Sequence, residues 1–79
     1  MAINKNPNDY IADNIIRLRK DRKMSQETVA LKLQTLGINY SRGRVSMVET
    51  KKRPAPALLL VGLKIIFECG YDDFFRELE

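Results

Sequence analysis

The sequence predicts an all-α fold, a compact domain of five short helices with no strand. Three observations lead there. Apolar residues recur at i, i+4, i+7 in successive segments. Asn, Ser or Asp stands before most of these segments, where a helix N-cap belongs. Glycine and proline punctuate the ends. The 79 residues, 44% hydrophobic with 4 Gly and 3 Pro, are globular in composition and leave room for one domain over 1–79. No repeat, low-complexity tract or linker interrupts them.

Residues 1–5 are expected to fray. Asn6-Pro7 then starts the first helix, Asn at the N-cap and Pro at the first helical position. Ile11, Ile15 and Leu18 form its stripe. Arg17, Arg19, Lys20, Arg22 and Lys23 crowd its last turns, where cations complement the helix dipole. Ser25 caps the second helix, with Gln26 and Glu27 in its first turn. Its stripe is Val29, Leu33 and Leu36, and Gly37 is the stop.

After the connection Ile38-Asn39-Tyr40, Ser41 caps a third helix from about Arg42 to Thr50. Val45 and Val48 face inward there, leaving Arg42, Gly43, Arg44, Ser46 and Met47 on the remaining surface. Lys51-Lys52-Arg53-Pro54-Ala55-Pro56 breaks the pattern. The fourth helix, about Pro56 to Cys69 and closed by Gly70, is apolar nearly all round, so one side is left over for a partner. Asp72 or Asp73 caps a final short helix carrying Phe74, Phe75 and Leu78.

Composition narrows the chemistry. The chain has no His and one Cys, so it offers no imidazole relay, no imidazole or multi-thiolate metal site and no internal disulfide. It reads as a non-enzyme without metal or cofactor. The N-terminus lacks the apolar core of a secretory leader, and the greasy stretch Ala55–Phe67 is far shorter than the ~20 residues that span a bilayer. A cytoplasmic location and no membrane partner are expected. The formal net charge of +4 hides an asymmetry. Residues 1–64 carry 13 basic and 5 acidic side chains, whereas residues 65–79 carry Arg76 against five acids. A basic body with an acidic end suggests a polyanion-binding face on one side.

Two short helices joined by a tight connection, the second rich in cations, fit a helix-turn-helix. The run Leu18-Arg19-Lys20, Met24-Ser25-Gln26-Glu27, Val29-Ala30, Leu33 and then Ser41 to Glu49 resembles the phage repressor and Cro-type helix-turn-helix family, a lambda-repressor-like domain. Arg53-Pro54, the apolar fourth helix and Asp73-Phe74-Phe75 extend the likeness over roughly residues 10–78. The resemblance implies five helices, with helices 2 and 3 as the helix-turn-helix. It also implies a homodimer on two-fold-symmetric double-stranded DNA, acting as a bacterial or phage transcriptional regulator, a repressor or autoregulator.

Carried onto this sequence, Gln26 matches the family's phosphate-binding glutamine, and the N–H groups of a helix N-terminus suit a phosphate. Ser25 and Ser41 stand at similar phosphate-facing caps. The alternative for Gln26 is a merely polar first-turn residue. Arg42, Gly43, Arg44, Ser46 and Met47 fall where the family contacts bases. Arginine grips guanine O6 and N7 with two hydrogen bonds, worth about 1–3 kcal/mol of discrimination. Met47 either meets a thymine methyl or closes the edge of the core. Lys51, Lys52 and Arg53 fall at the family's backbone contacts, with Arg17, Arg22 and Lys23 as secondary candidates. Arg19 and Glu49 match a structural ion pair between helices 1 and 3.

The sequence departs from the family pattern in two places. From Ala30 to Glu49 it is about five residues longer, read as an extension of helix 2 in which Leu36 keeps the stripe. Gly43 offers no side chain at a base-reading position. A different class of function is a protein-interaction module, such as the antitoxin of a toxin–antitoxin pair. Leu58, Leu60, Val61 and Ile65, with the acidic end, would form its partner or dimer surface. Cys69 belongs to the same surface or to the core, a small hydrophobe rather than a redox sensor.

Overall fold

The computed structural model describes residues 6–77. Within them four α-helices run in order, α1 (Pro7–Asp21), α2 (Gln26–Thr35), α3 (Arg42–Glu49) and α4 (Ala57–Phe67). A single 3-10 turn, Tyr71–Phe74, stands where a fifth helix was expected, and the described residues contain no strand. The expectations for residues 1–5 and for Leu78 lie outside the described residues. The Cα radius of gyration, 11.9 Å, is near the ~11.6 Å of a compact chain this long.

The helix starts follow from their caps. Asn6 accepts from the Asn8 N–H, Ser25 from Thr28 and Ser41 from Arg44, each side chain satisfying one orphan donor of a first turn. The ends share one device. After each helix a residue takes positive φ: Lys23 (55°), Gly37 (82°), Lys51 (66°) and Glu68 (52°). The next N–H reaches back to a carbonyl five residues earlier: Met24 to Arg19, Ile38 to Leu33, Lys52 to Met47, Cys69 to Lys64. These are Schellman closures. Three of the four return residues, Met24, Ile38 and Cys69, turn an apolar side chain into or against the core.

Two expectations change here. Helix 4 ends at Phe67 with Glu68 in the left-handed region, so Gly70 is not its stop. Gly70 instead opens the 3-10 turn, and its N–H donates to the Asp73 carboxylate at 3.0 Å. Leu36 does not extend the α2 stripe, because the helix stops at Thr35 and leaves Leu36 42% exposed. Ile38, in the connection, takes the core position that Leu36 was expected to fill.

The core joins Ile11, Ile15 and Leu18 of α1 to Val29, Ala30 and Leu33 of α2, Val45 and Val48 of α3, Leu59, Leu60, Leu63 and Phe67 of α4, and Phe74. Leu60 is thus a core residue at 9% exposure and leaves the outward surface of α4. Gly62 lets α4 lie close on α2, since a Cβ there would come within 2.6 Å of Ile38 Cδ1 and Leu33 Cδ2. No helix of the described residues is long and apolar enough to cross a membrane.

Candidate nucleic-acid interface

The candidate surface is built on α3, an eight-residue helix that lies against both α2 and α1. At ~100° per residue, Val45, Val48 and Glu49 share its inner side, and all three are buried. The opposite side carries Gly43 and Met47 at its crest, flanked by Arg42 and Ser46 on one edge and Arg44 on the other. Arg42, Gly43, Arg44 and Met47 are exposed and Ser46 is half-buried.

Glu49 sets how α3 is held. Its side chain is 3% exposed and receives Arg19 Nε on Oε2 at 2.8 Å and Arg19 Nη2 on Oε1 at 2.9 Å. Gln26 Nε2 donates to Oε1 at 3.0 Å, and Arg19 Nη1 donates to the Met24 carbonyl at 2.9 Å. One carboxylate therefore joins α1, α2 and α3, and a fork-to-fork arginine pair fixes orientation as well as distance. Gln26 is consequently more than a polar first-turn residue. It stands at the N-terminus of α2 with one amide hydrogen held by Glu49 and the other available.

Ser25 and Ser41 have their hydroxyls occupied by capping, Ser25 additionally donating to Thr28 Oγ1 at 2.9 Å. Their use to a ligand is to keep the first turns of α2 and α3 formed and open. The basic run after α3 divides. Lys51 Nζ pairs with Asp13 Oδ1 of α1 at 3.1 Å and acts as a brace. Lys52 and Arg53 are exposed and, like Arg42 and Arg44, have no acidic partner among the described residues.

Arg17 and Arg22, the secondary candidates, are consumed elsewhere. Arg22 Nε donates to the Phe67 carbonyl at 2.6 Å, capping α4, with its guanidinium over the Phe67 ring. Arg17 reaches Asn14, the Asp73 carbonyl and Asp21. Both lie at the end of the molecule that gathers α1, the C-terminus of α4 and the 3-10 turn. Lys23 is exposed and supplies the positive φ that closes α1.

Two contributors escaped the reading of the sequence. Tyr40 lies under Arg44, guanidinium carbon to ring centroid 5.8 Å, so the arginine has an aromatic rest. Together with Met47, Arg53, Pro54, Ala55 and Pro56 they line an open concavity of about 450 Å³ beside the α3 crest. The signal was an aromatic residue four positions before an arginine, across a helix start. Asn14 is the other. It is fully buried and donates from Nδ2 to the carbonyls of Phe74 (2.9 Å) and Arg76 (2.7 Å) while accepting from Arg17. An amide inside the stripe Ile11–Ile15–Leu18 was its signal.

Cys69 is half-buried against the core, and its thiol is pushed above the ordinary range, first by burial and then by the Asp73 carboxylate. That is the opposite of an activated thiolate. Among the described residues no cluster of three or more metal-ligating side chains occurs. No family model matches the chain, and neither a curated protein nor a solved structure matches it.

Proposed function

We propose that this protein is a sequence-specific DNA-binding regulator that uses α2 and α3 as a helix-turn-helix and lays α3 in the major groove of a two-fold-symmetric site. One observation carries the reading. The outer side of α3 bears two arginines that flank a glycine and have no acidic partner among the described residues, on a helix that the Glu49 junction anchors to α1 and α2. Arg42 and Arg44 supply the bidentate donors that guanine edges accept, and Met47 an apolar tip for a thymine methyl. Gln26 and the first turn of α2 face one phosphate strand, and Lys52 and Arg53 the other.

The test is selection of bound duplexes from a random library, followed by the salt dependence of the winner. A two-fold motif with guanine in each half-site is expected. With two cations per protomer on phosphates, Lys52 and Arg53, log Kd changes against log salt with a slope of magnitude about 4 for a dimer. A selection that converges on no motif overturns the reading.

The outward apolar residues of α4 favour a second reading, a protein-interaction module such as an antitoxin. Capture of one defined basic partner through residues 56–79, with no duplex selected, would establish it instead.

A further inference from the structure

The Tyr40 ring is half-buried and packed against the core, so it is a fixed surface at the start of α3. It stands four residues before Arg44, and the Ser41 cap between them accepts the Arg44 N–H at 3.2 Å. The Arg44 guanidinium carbon lies 5.8 Å from the ring centroid. The Arg42 side chain, by contrast, has no ring, acid or hydrogen-bond partner among the described residues. The two arginines therefore differ in what binding costs them. Arg42 gives up its rotamer freedom when it meets a ligand, whereas Arg44 has already given up part of it.

We propose that Tyr40 is a specificity-determining residue: it holds Arg44 as the guanine reader, and the pair selects a guanine whose 5′ neighbour is a 5-methylpyrimidine, thymine or 5-methylcytosine. This rests on the DNA-binding reading. Arginine meets guanine through O6 and N7 at the major-groove edge, where a pyrimidine also presents its C5 position. In right-handed B-DNA the C5 position of the 5′ neighbour lies beside the O6/N7 edge of the following guanine, so a methyl there meets the guanidinium that reads the guanine. Tyr40 covers one side of the Arg44 guanidinium, and the methyl covers another. Met47, Pro54, Ala55 and Pro56, which line the concavity next to the pair, supply apolar surface beside it. A guanidinium shielded from water in this way holds both ring and guanine more strongly than a hydrated one. Unmethylated cytosine carries only hydrogen at C5 and leaves that side to water. Cytosine methylation at this step should therefore strengthen binding.

Fluorescence-anisotropy titration of the full chain on its selected duplex tests the proposal. Replacing the thymine before the guanine by uracil removes one methyl and should weaken binding about 3–4-fold per half-site. Replacing cytosine by 5-methylcytosine there should strengthen it by a similar factor. Tyr40→Phe keeps the ring and should bind like the wild type. Tyr40→Leu should lower the guanine-over-adenine preference about 2–5-fold per half-site and erase the methyl effect, with the salt slope and far-UV spectrum unchanged. Loss of a merely structural residue would weaken all duplexes alike. Arg44→Lys keeps the charge without the planar fork and should show the same losses with Tyr40 in place, which covers a Tyr40→Leu chain that does not fold. Arg42→Ala should cost less guanine preference than Arg44→Ala. Four results would each overturn the proposal and leave the DNA-binding reading standing: thymine and uracil bound alike, a motif whose guanine follows a purine, a folded Tyr40→Leu with full guanine preference, or Arg42→Ala as the costlier change. A library that selects no motif overturns that reading and the proposal with it.

Discussion

Replacing Arg19 by Met tests the junction that positions α3. The substitution keeps an unbranched apolar stem and removes the guanidinium, leaving the Glu49 carboxylate, 3% exposed, with only Gln26 as partner. A buried carboxylate deprived of its counter-charge costs about 3–5 kcal/mol. The Met24 carbonyl loses its donor as well, adding up to about 1 kcal/mol. A domain of this length holds roughly 4–12 kcal/mol in all, so the variant should be marginally folded. For the total of about 3–6 kcal/mol the melting temperature should fall by roughly 12–48 °C, at 4–8 °C per kcal/mol for a chain this small. Urea unfolding followed by far-UV circular dichroism gives the free energy directly. Arg19→Met with Glu49→Leu should recover most of the loss, because well-packed apolar residues often replace a buried ion pair at little cost. An Arg19→Met variant destabilised by less than about 1 kcal/mol, or a double variant no better than the single one, would refute the junction as the anchor of α3.

Other substitutions separate conformation from binding. Gly43→Ala should stabilise the free protein by up to about 1 kcal/mol, since a Cβ there meets nothing closer than Ser41 Oγ at 3.8 Å. The same change should weaken duplex binding if the backbone approaches DNA at the crest, so melting and gel-shift titration should move in opposite directions. Gly37→Ala should cost about 1–2 kcal/mol from positive φ alone, there being no atom within 4 Å of the added Cβ, and Glu68→Gly should gain about 1 kcal/mol; chemical denaturation of the pair reads both signs. Asn14→Ala should release the backbone around Phe74 and Arg76, seen as faster amide exchange there with α2 and α3 unaffected. Cys69 should alkylate more slowly at neutral pH than an unperturbed thiol and catch up in denaturant, as its pKa is raised by burial and by Asp73.

Much of the architecture was legible because the signals are local. An N-cap serine, a 3.6-residue apolar period and a closing glycine act within one helical turn or two, and they located α1, α2 and α3 closely. Errors arose where a position is decided by contacts distant in sequence. Leu36 has the right phase for the α2 stripe, but the chain turns first and Ile38 fills that space. Leu60 looked like surface on an all-apolar helix, whose pattern names no inner side; the approach of α2 over Gly62 chose it. The expected fifth helix is a 3-10 turn, held by Asp73 within and by Asn14 from 60 residues away.

Sequence alone determined an all-helical chain, the helix starts, the cation-rich third helix and the division into a basic body and an acidic end. Those follow from propensity, periodicity and formal charge, which need no neighbour to be known. Tertiary structure decided which cations remain available. Lys51, Arg17 and Arg22 are as basic in sequence as Arg42, Arg44, Lys52 and Arg53, yet Asp13, Asp73 and Phe67 engage the first three. Whether a charge is spent on the fold or left for a ligand depends on which acids and carbonyls folding brings within hydrogen-bond reach. Coulomb and hydrogen-bond partners act over a few ångströms of space, and here the decisive ones lie between about 38 and 56 residues apart along the chain.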